Sequence, residues 1–304
     1  MLGLRRAGIE IAPHAVRVTV VRRLGTAVRP LAYAEAPLDP DVFVPSWERE
    51  NVPKEVAFQE TVSGVLRAAG ATGAHLGVAL PDLTARLRIL PSERPPTDRG
   101  GIRAYALWRL HQESPRSPAR VGPAFYLNGN PTRGYMAMLV AAEAAIAQIE
   151  RLIRAAGAEP IRITNTATAI FDLLTGGLAP REEEIGAGGV LVVGHPSATL
   201  LLTSDGAPIF ARTFRHTWAH AFSEQSITAI CAEVAASLDW CADAGLPPAK
   251  RIMLAGEYAS SPGLAEALTD HVSIPCHLAG LPWRLRGQNS FPAQGIGALA
   301  AALC

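Results

Sequence analysis

One strand–turn–strand pattern occurs twice in this chain, once near the N-terminus and again in the second half. The first copy runs from Gly8 to Tyr33 and the second from Val190 to Phe214. Each copy has a short apolar strand, a tight turn, a longer apolar strand, a hairpin turn and a third strand. Self-similarity on this scale is the signature of a fold built from repeated units. The sequence therefore predicts an α/β protein with two related halves that face a cleft.

Composition excludes several classes of protein. Of the 304 residues, 49% are hydrophobic and 18% are charged, which is typical of a folded globular chain. The formal net charge of +1 gives no indication of a nucleic-acid partner. The sequence has no run of about 18 consecutive apolar residues and no apolar segment after its first arginines. We therefore expect no membrane span, no signal peptide and a cytoplasmic location.

The spacing of cysteine and histidine gives no indication of a metal centre. His216 and His220 lie four residues apart, but no further ligand candidates lie near them in the sequence, so we expect both to be solvated. No two cysteines form a Cys-x-x-Cys pair; the four are Cys231, Cys241, Cys276 and Cys304. The sequence therefore predicts no metal site and a reducing compartment.

Apolar stripes predict helices between and after the two repeats. The clearest stripes predict helices over Ala142–Ala156 and Ser226–Ala244. In the second of these, we expect Trp240 and Cys241 to pack in the core. The chain closes with Gly295–Leu303, whose small residues favour a helix that approaches another element closely.

Several short segments in a fixed order resemble one protein family. They are Gly8-Ile-Glu-Ile11, Val16-Arg-Val18, Leu31–Leu38, Val78-Ala-Leu-Pro81, Leu139–Ala142, Arg251–Gly256 and Pro262–Glu266. Together they resemble the PilM family of type IV pilus assembly proteins, which have the actin-like ATPase fold and are related to the cell-division protein FtsA. The resemblance covers nearly the full length of the chain.

The resemblance implies a duplicated, actin-like α/β fold in two domains. The first actin-like half would span residues 1–175 and carry an inserted subdomain at about 40–133. The second half would span residues 176–304, after a break at the Gly-rich stretch 176–189. Its last helix would return to the cleft between the halves.

In this fold ATP lies in the cleft, where three loops hold it. The residues that the resemblance places there are Glu10, Ala12, His14, Gly194, His195, Gly256 and Glu257, with Glu233 on the helix that contacts the ribose. The sequence departs from the family pattern at each loop. Pro13 removes one N–H donor, Val192 replaces a carboxylate, and Glu257 puts an anion where the nucleotide would lie. We therefore predict a degenerate nucleotide cleft with no catalytic residues. ATP with Mg²⁺ stays a candidate ligand, and an active ATPase or a sugar-kinase-type phosphotransferase stays the alternative function.

The resemblance also implies a protein partner. Relatives are thought to bind the N-terminal cytoplasmic segment of PilN, a single-pass membrane protein, in a groove between the first half and its inserted subdomain. Candidate contacts in this chain are Arg86, Arg88, Arg103, Tyr105 and Trp108. Core packing is the alternative role for the aromatic residues, and a solvated basic face is the alternative for the arginines.

The predicted function is that of a cytoplasmic scaffold in the inner-membrane assembly platform of a type IV pilus or a related secretion machine. The chain would reach the membrane through a PilN-like partner, and other platform or motor components are further candidate partners. The sequence leaves open the oligomeric state and the choice between a pilus and a secretion machine.

Overall fold

A computed structural model describes residues 4–24, 27–91, 98–113, 121–125, 135–175, 188–204, 207–216, 222–280 and 292–303. The strands are β1 (Leu4–Ala12), β2 (Ala15–Leu24), β3 (Ala27–Pro37), β4 (His75–Leu80), β5 (Arg86–Pro91), β6 (Val121–Phe125), β7 (Tyr135–Ala142), β8 (Glu159–Asn165), β9 (Gly188–Val193), β10 (Ser197–Ser204), β11 (Ala207–Arg215), β12 (Ile252–Ala255) and β13 (Cys276–Leu278). The helices are α1 (Glu55–Ala68), α2 (Arg99–Glu113), α3 (Glu143–Ala155), α4 (Thr166–Thr175), α5 (Glu224–Asp243), α6 (Leu264–Val272) and α7 (Ile296–Leu303).

Two five-stranded sheets have the same topology, which confirms the duplication predicted from the repeated hairpins. The first sheet has the order β3-β2-β1-β4-β8, and the second has the order β11-β10-β9-β12-β13. In both sheets the first strand of the repeat is antiparallel to the second and parallel to the strand on its other side. The predicted break between the halves falls mostly on residues 176–187, which lie outside the described ranges.

The central strands of the first sheet, β4 from Leu76 onward and β1 from Ala7 onward, are buried along their length because both faces of the sheet are covered there. Ile9 and Ile11 of β1 pack with the inward residues of α1 and α3 on one face. The opposite face packs against α4 and α7 in a cluster that also contains Val190 and Val192 of the second sheet. This shared cluster joins the two halves below the cleft.

The last helix lies directly on the first sheet, where two glycines make room for it. A Cβ atom on Gly8 would lie 2.2 Å from the carbonyl oxygen of Ala298, and one on Gly77 would lie 2.0 Å from that of Ala301. Every residue from Ile296 to Leu303 is buried. The alanine-rich sequence therefore serves both helix formation and close backbone packing.

A third, antiparallel sheet has the order β5-β7-β6 and is not hydrogen-bonded to the first two, although β5 and β7 contact β11. The range expected for the inserted subdomain, about 40–133, also contains α1 and β4, which belong with the first sheet. The separate sheet begins later, at Arg86, and ends at Ala142. Leu87 and Leu139 face the shared cluster that joins the two halves, whereas Leu90 and Met138 face the opposite side of the third sheet.

Two expectations about exposure are wrong. Trp240 was expected in the core with Cys241, but Trp240 is 57% exposed and Cys241 is buried. These residues are neighbours on α5, so the helical turn of about 100° per residue points them in different directions. His216 is buried rather than solvated, while its expected neighbour His220 lies outside the described residues.

Among the described helices, none is long and apolar enough to cross a membrane.

Candidate functional site

Three loops from the two halves meet at one cleft. The turn between β1 and β2 brings His14, the turn between β9 and β10 brings His195, and the loop after β12 brings Glu257. The rings of His14 and His195 have centroids 5.7 Å apart. His14 Nε2 lies 3.0 Å from Glu257 Oε1. The loops that the sequence indicated therefore lie together, although they are far apart along the chain.

A small cavity lies within this cleft. Six of the predicted cleft residues line it, namely Glu10, Ala12, Gly194, His195, Gly256 and Glu257, and Asp82 and Val192 are also in its wall. Its volume is about 30 Å³. This is comparable to the volume that one molecule occupies in liquid water.

Arg17 is the centre of the charged groups in the cleft. Its side chain is only 2% exposed. Its Nη2 donates to Glu257 Oε1 at 2.9 Å, and its Nε donates to Glu35 Oε1 at 3.0 Å. Glu10 Oε2 lies 3.8 Å from Nη1. A buried guanidinium needs such counter-charges because removal from water destabilises an unpaired charge by several kcal/mol.

Sequence reasoning did not select Arg17, which lies between two valines near the start of β2. A charged side chain in a strand ordinarily faces water, as it does on a sheet with one solvated face, so its presence alone does not indicate a buried site. The signal that was available is the apolar character of the first seven residues of this strand, where Arg17 is the one charged residue, whereas Arg22 and Arg23 lie at the end of the strand. Its partners could not be read from spacing, because Glu257 is 240 residues away.

Glu257 is directed across the cleft by a tight turn at the end of β12. Gly256 has φ of +99°, and a Cβ atom there would lie 2.7 Å from the carbonyl oxygen of Val193. The N–H of Tyr258 donates to the same oxygen at 3.0 Å, so the turn is fixed to β9 on both sides of Glu257. Burial acts to raise the pKa of Glu257, but the hydrogen bond from His14 and the charge of Arg17 outweigh it and hold this pKa below its usual value.

Glu10, one of the predicted cleft residues, lies near the end of β1. Burial raises the pKa of this carboxyl to about 7, although the nearby charge of Arg17 opposes the shift. The carboxyl group lies at the start of α7, since a Cβ atom on Gly297 would be 2.4 Å from its Cδ. A carboxylate is favoured at a helix N-terminus by the helix dipole. Glu10 therefore contacts both Arg17 and the last helix.

Asp82 makes a second link between the halves and was also missed by sequence reasoning. It follows Pro81 directly after β4 and is buried. Its carboxylate accepts hydrogen bonds from Thr199 Oγ1 at 2.6 Å and from the backbone N–H of Ala167 at 2.9 Å. Burial raises its pKa to about 6, against the effect of these two hydrogen bonds. An acid next to a proline usually indicates a turn, so the sequence pattern alone does not mark Asp82 as a link between the halves.

Glu233 lies away from the other predicted cleft residues. Its carboxylate pairs with Arg212 in a separate cavity of about 680 Å³ between β11 and α5. His216 lines the same cavity, and its Nε2 lies 2.8 Å from the carbonyl oxygen of Gly194. Burial lowers the pKa of His216 to about 4, so its imidazole is neutral near pH 7.

Within the described ranges, no group of three histidine, cysteine or acidic residues could hold a metal ion.

The predicted partner residues lie on the third sheet and on α2. Arg86 and Arg88 alternate with Leu87 along β5, and the guanidinium of Arg86 lies 4.2 Å from the ring centre of Trp47. Tyr105 is partly buried and packs on the buried residues Leu90, Met138 and Val140. Trp108 contacts the ring of Tyr105 and is itself 53% exposed. The side chain of Arg103 lies outside the described part of the structure.

Comparison with known proteins shows the fold. No protein-family model and no curated protein sequence matches this chain. A solved structure described as the PilM-PilN type IV pilus biogenesis complex is similar, with a TM-score of 0.78 and 18% identity over 98% of this chain and 97% of that one. The cytoplasmic domain of EpsL, an inner-membrane component of the type II secretion system of Vibrio cholerae, has a TM-score of 0.54 at 11% identity over 99% and 96% of the two chains.

A protein from Bacteroides thetaiotaomicron with an actin-like ATPase fold and unknown function is similar at a TM-score of 0.56 and 9% identity, over 99% of this chain and 96% of that one. The chain thus has the duplicated, actin-like α/β fold that its sequence predicted. The PilM-like character predicted from short segments is confirmed at the level of the fold.

Proposed function

We propose that this protein is a scaffold of a bacterial inner-membrane assembly platform, in a type IV pilus or a related secretion machine. It binds the N-terminal cytoplasmic segment of a PilN-like membrane protein and is held at the membrane through that partner. The observation that carries this proposal is the similarity of nearly the whole chain to a chain of the PilM-PilN type IV pilus biogenesis complex. The similarity to a cytoplasmic domain of a secretion-system component supports the same class of function.

The third sheet offers a surface that suits such a peptide. Arg86 and Arg88 lie on the same side of β5, opposite Val140 and Met138 of β7. Trp108 adds an exposed aromatic ring on the helix that covers this side. Bound peptides typically insert apolar side chains at regular spacing, while a few polar groups fix their register. An amphipathic segment with acidic residues therefore fits this surface in charge and in apolar character.

The geometry of the cleft supports a scaffold without nucleotide turnover. Ligand pockets commonly have volumes of about 300–1,000 Å³, whereas the cavity among the three loops expected to hold the phosphates is about 30 Å³. The cavity of about 680 Å³ at Glu233 lies beside these loops rather than among them. Glu257 brings a carboxylate to the guanidinium of Arg17, a position in which it would repel a phosphate. An ATPase or a sugar-kinase-type enzyme would need an acid at the end of β9 for Mg²⁺ or water, and Val192 stands there. The residues present do not fit Mg-ATP in the usual mode.

Peptide binding can be tested with a pair of matched tryptophan variants. We expect the wild-type chain to bind a peptide copying the N-terminal cytoplasmic segment of a PilN-like membrane protein from the same organism. Trp108→Ala should weaken binding about 30-fold, because a central aromatic contact is worth about 2 kcal/mol. Trp240→Ala removes a ring of similar exposure from the second half and should leave the affinity unchanged. Isothermal titration calorimetry measures each affinity.

Two outcomes would contradict the proposal. If the wild-type chain does not bind the peptide, the proposed partner is wrong. If Trp108→Ala and Trp240→Ala change the peptide affinity equally, the third sheet is not the binding surface. A site on this sheet predicts that only Trp108→Ala weakens binding.

A further inference from the structure

The charged cluster around Arg17 is built from both halves, but unequally. Glu10, His14 and Glu35 come from β1, the turn that follows it and β3 in the first half. Glu257 comes from the loop after β12 in the second half. The contacts of Glu257 with Arg17 at 2.9 Å and with His14 at 3.0 Å therefore cross the cleft.

We infer that Glu257 is an internal anionic tether that holds the two halves together across the cleft without a bound ligand. The carboxylate contacts a cation and an imidazole of the opposite half, as an anionic ligand bound between the halves would. This inference concerns the chain alone and does not depend on the partner proposed above.

The position of Glu257 is built into the backbone. A flexible acid on a loose loop could reach Arg17 by chance, but the turn here is fixed to β9 by Gly256 and by the N–H of Tyr258. The side chain is 15% exposed, so its hydrogen bonds are largely shielded from water. Charge-assisted hydrogen bonds in such surroundings are stronger than those between neutral groups.

Arg17 does not need Glu257 for its own burial within the first half. Its Nε already donates to Glu35, which is fixed in turn by the hydroxyl of Tyr33 at 2.6 Å. Removal of Glu257 therefore leaves the guanidinium with counter-charges from Glu10 and Glu35. The first half should keep its fold, while the contact across the cleft is lost.

The hydrogen bond from Thr199 to Asp82 does not involve Glu257, so we expect it to stay in place when Glu257 is changed. It lies beside the shared apolar cluster, since Ala167 and the neighbouring residues of α4 belong to that cluster. Loss of Glu257 should therefore open the cleft at the loops without separating the halves.

The test is hydrogen exchange, measured by mass spectrometry on peptides that cover the β1–β2 and β9–β10 turns. In Glu257→Gly we expect exchange at both turns to be about 10-fold to 100-fold faster, as the loss of one charge-assisted hydrogen bond implies. Peptides from β12 and β13 should be unchanged, which excludes global unfolding. Glu35→Gln removes another counter-charge of Arg17 but lies within the first half, so both turns should exchange at the wild-type rate.

Acetate tests whether the carboxylate itself is the tether. Added to Glu257→Gly, acetate should restore slow exchange in a saturable way, and it should not affect the wild-type chain. Wild-type exchange in Glu257→Gly, equally fast exchange in Glu35→Gln, or failure of acetate to restore protection would each overturn the inference. Because no peptide partner is present, these outcomes leave the proposed binding surface untouched.

Discussion

Arg17→Met is expected to destabilise the protein by about 3–5 kcal/mol, since removal of one partner from a buried ionic cluster leaves the others uncompensated. In this variant Glu10, Glu35 and Glu257 would face one another without the guanidinium that now lies among them. The effect should be measured as the free energy of unfolding in urea. Methionine keeps the apolar stem of the side chain, so little of the loss comes from packing.

The matched control is an arginine whose ion pairs are exposed. Arg154 pairs with Glu150 and Glu159, and all three side chains are between 39% and 48% exposed. Arg154→Met should change the unfolding free energy by no more than about 1 kcal/mol. If the two variants lose similar amounts of unfolding free energy, burial and the number of carboxylates around Arg17 do not determine how much it stabilises the protein.

Gly8→Ala is the second substitution with a large expected effect, a loss of about 3 kcal/mol or more from overpacking. The new Cβ would lie 2.2 Å from the carbonyl oxygen of Ala298 and 2.3 Å from the amide nitrogen of Ala302. Both atoms belong to the backbone of α7, so no side chain can rotate away. The helix must shift off the first sheet, and denaturant unfolding should show a lower midpoint.

A glycine on a helix surface provides the comparison. Gly64 lies on the exposed side of α1, and a Cβ atom there would meet nothing within 4 Å. Gly64→Ala should stabilise the chain by up to about 1 kcal/mol, because alanine favours the helix. A stability loss in Gly64→Ala equal to that in Gly8→Ala would mean that contact with α7 is not the cause.

The fold could be predicted from the sequence because it depends on local patterns that occur twice. The hairpins at Gly8–Tyr33 and Val190–Phe214 need only apolar alternation and turn residues, both visible in the chain. The helix predicted over Ala142–Ala156 is observed as Glu143–Ala155 for the same reason. Trp240 was assigned to the core because the apolar pattern of α5 continues almost around the helix, so the stripe did not define which side is exposed.

The site was only partly predictable because its contacts join residues that are distant in the sequence. Glu257 was selected since it departs from a glycine pair in the family pattern. Arg17 and Asp82 carry no such signal, and their meaning depends on partners 240 and 117 residues away. The pairing of Glu233 with Arg212 in a different cavity likewise depends on how α5 lies against β11.

The most direct test of a cleft bridged by the chain's own residues is thermal unfolding with Mg-ATP, with phosphate release measured in parallel. A nucleotide that bound the folded state would stabilise it by about 2.7 kcal/mol at a concentration 100-fold above its Kd. We predict an unchanged Tm and no phosphate release, because Glu257 and Arg17 close the cleft. A clear rise in Tm together with phosphate release that Glu10→Ala abolishes would contradict this account and identify the protein as an active nucleotide hydrolase.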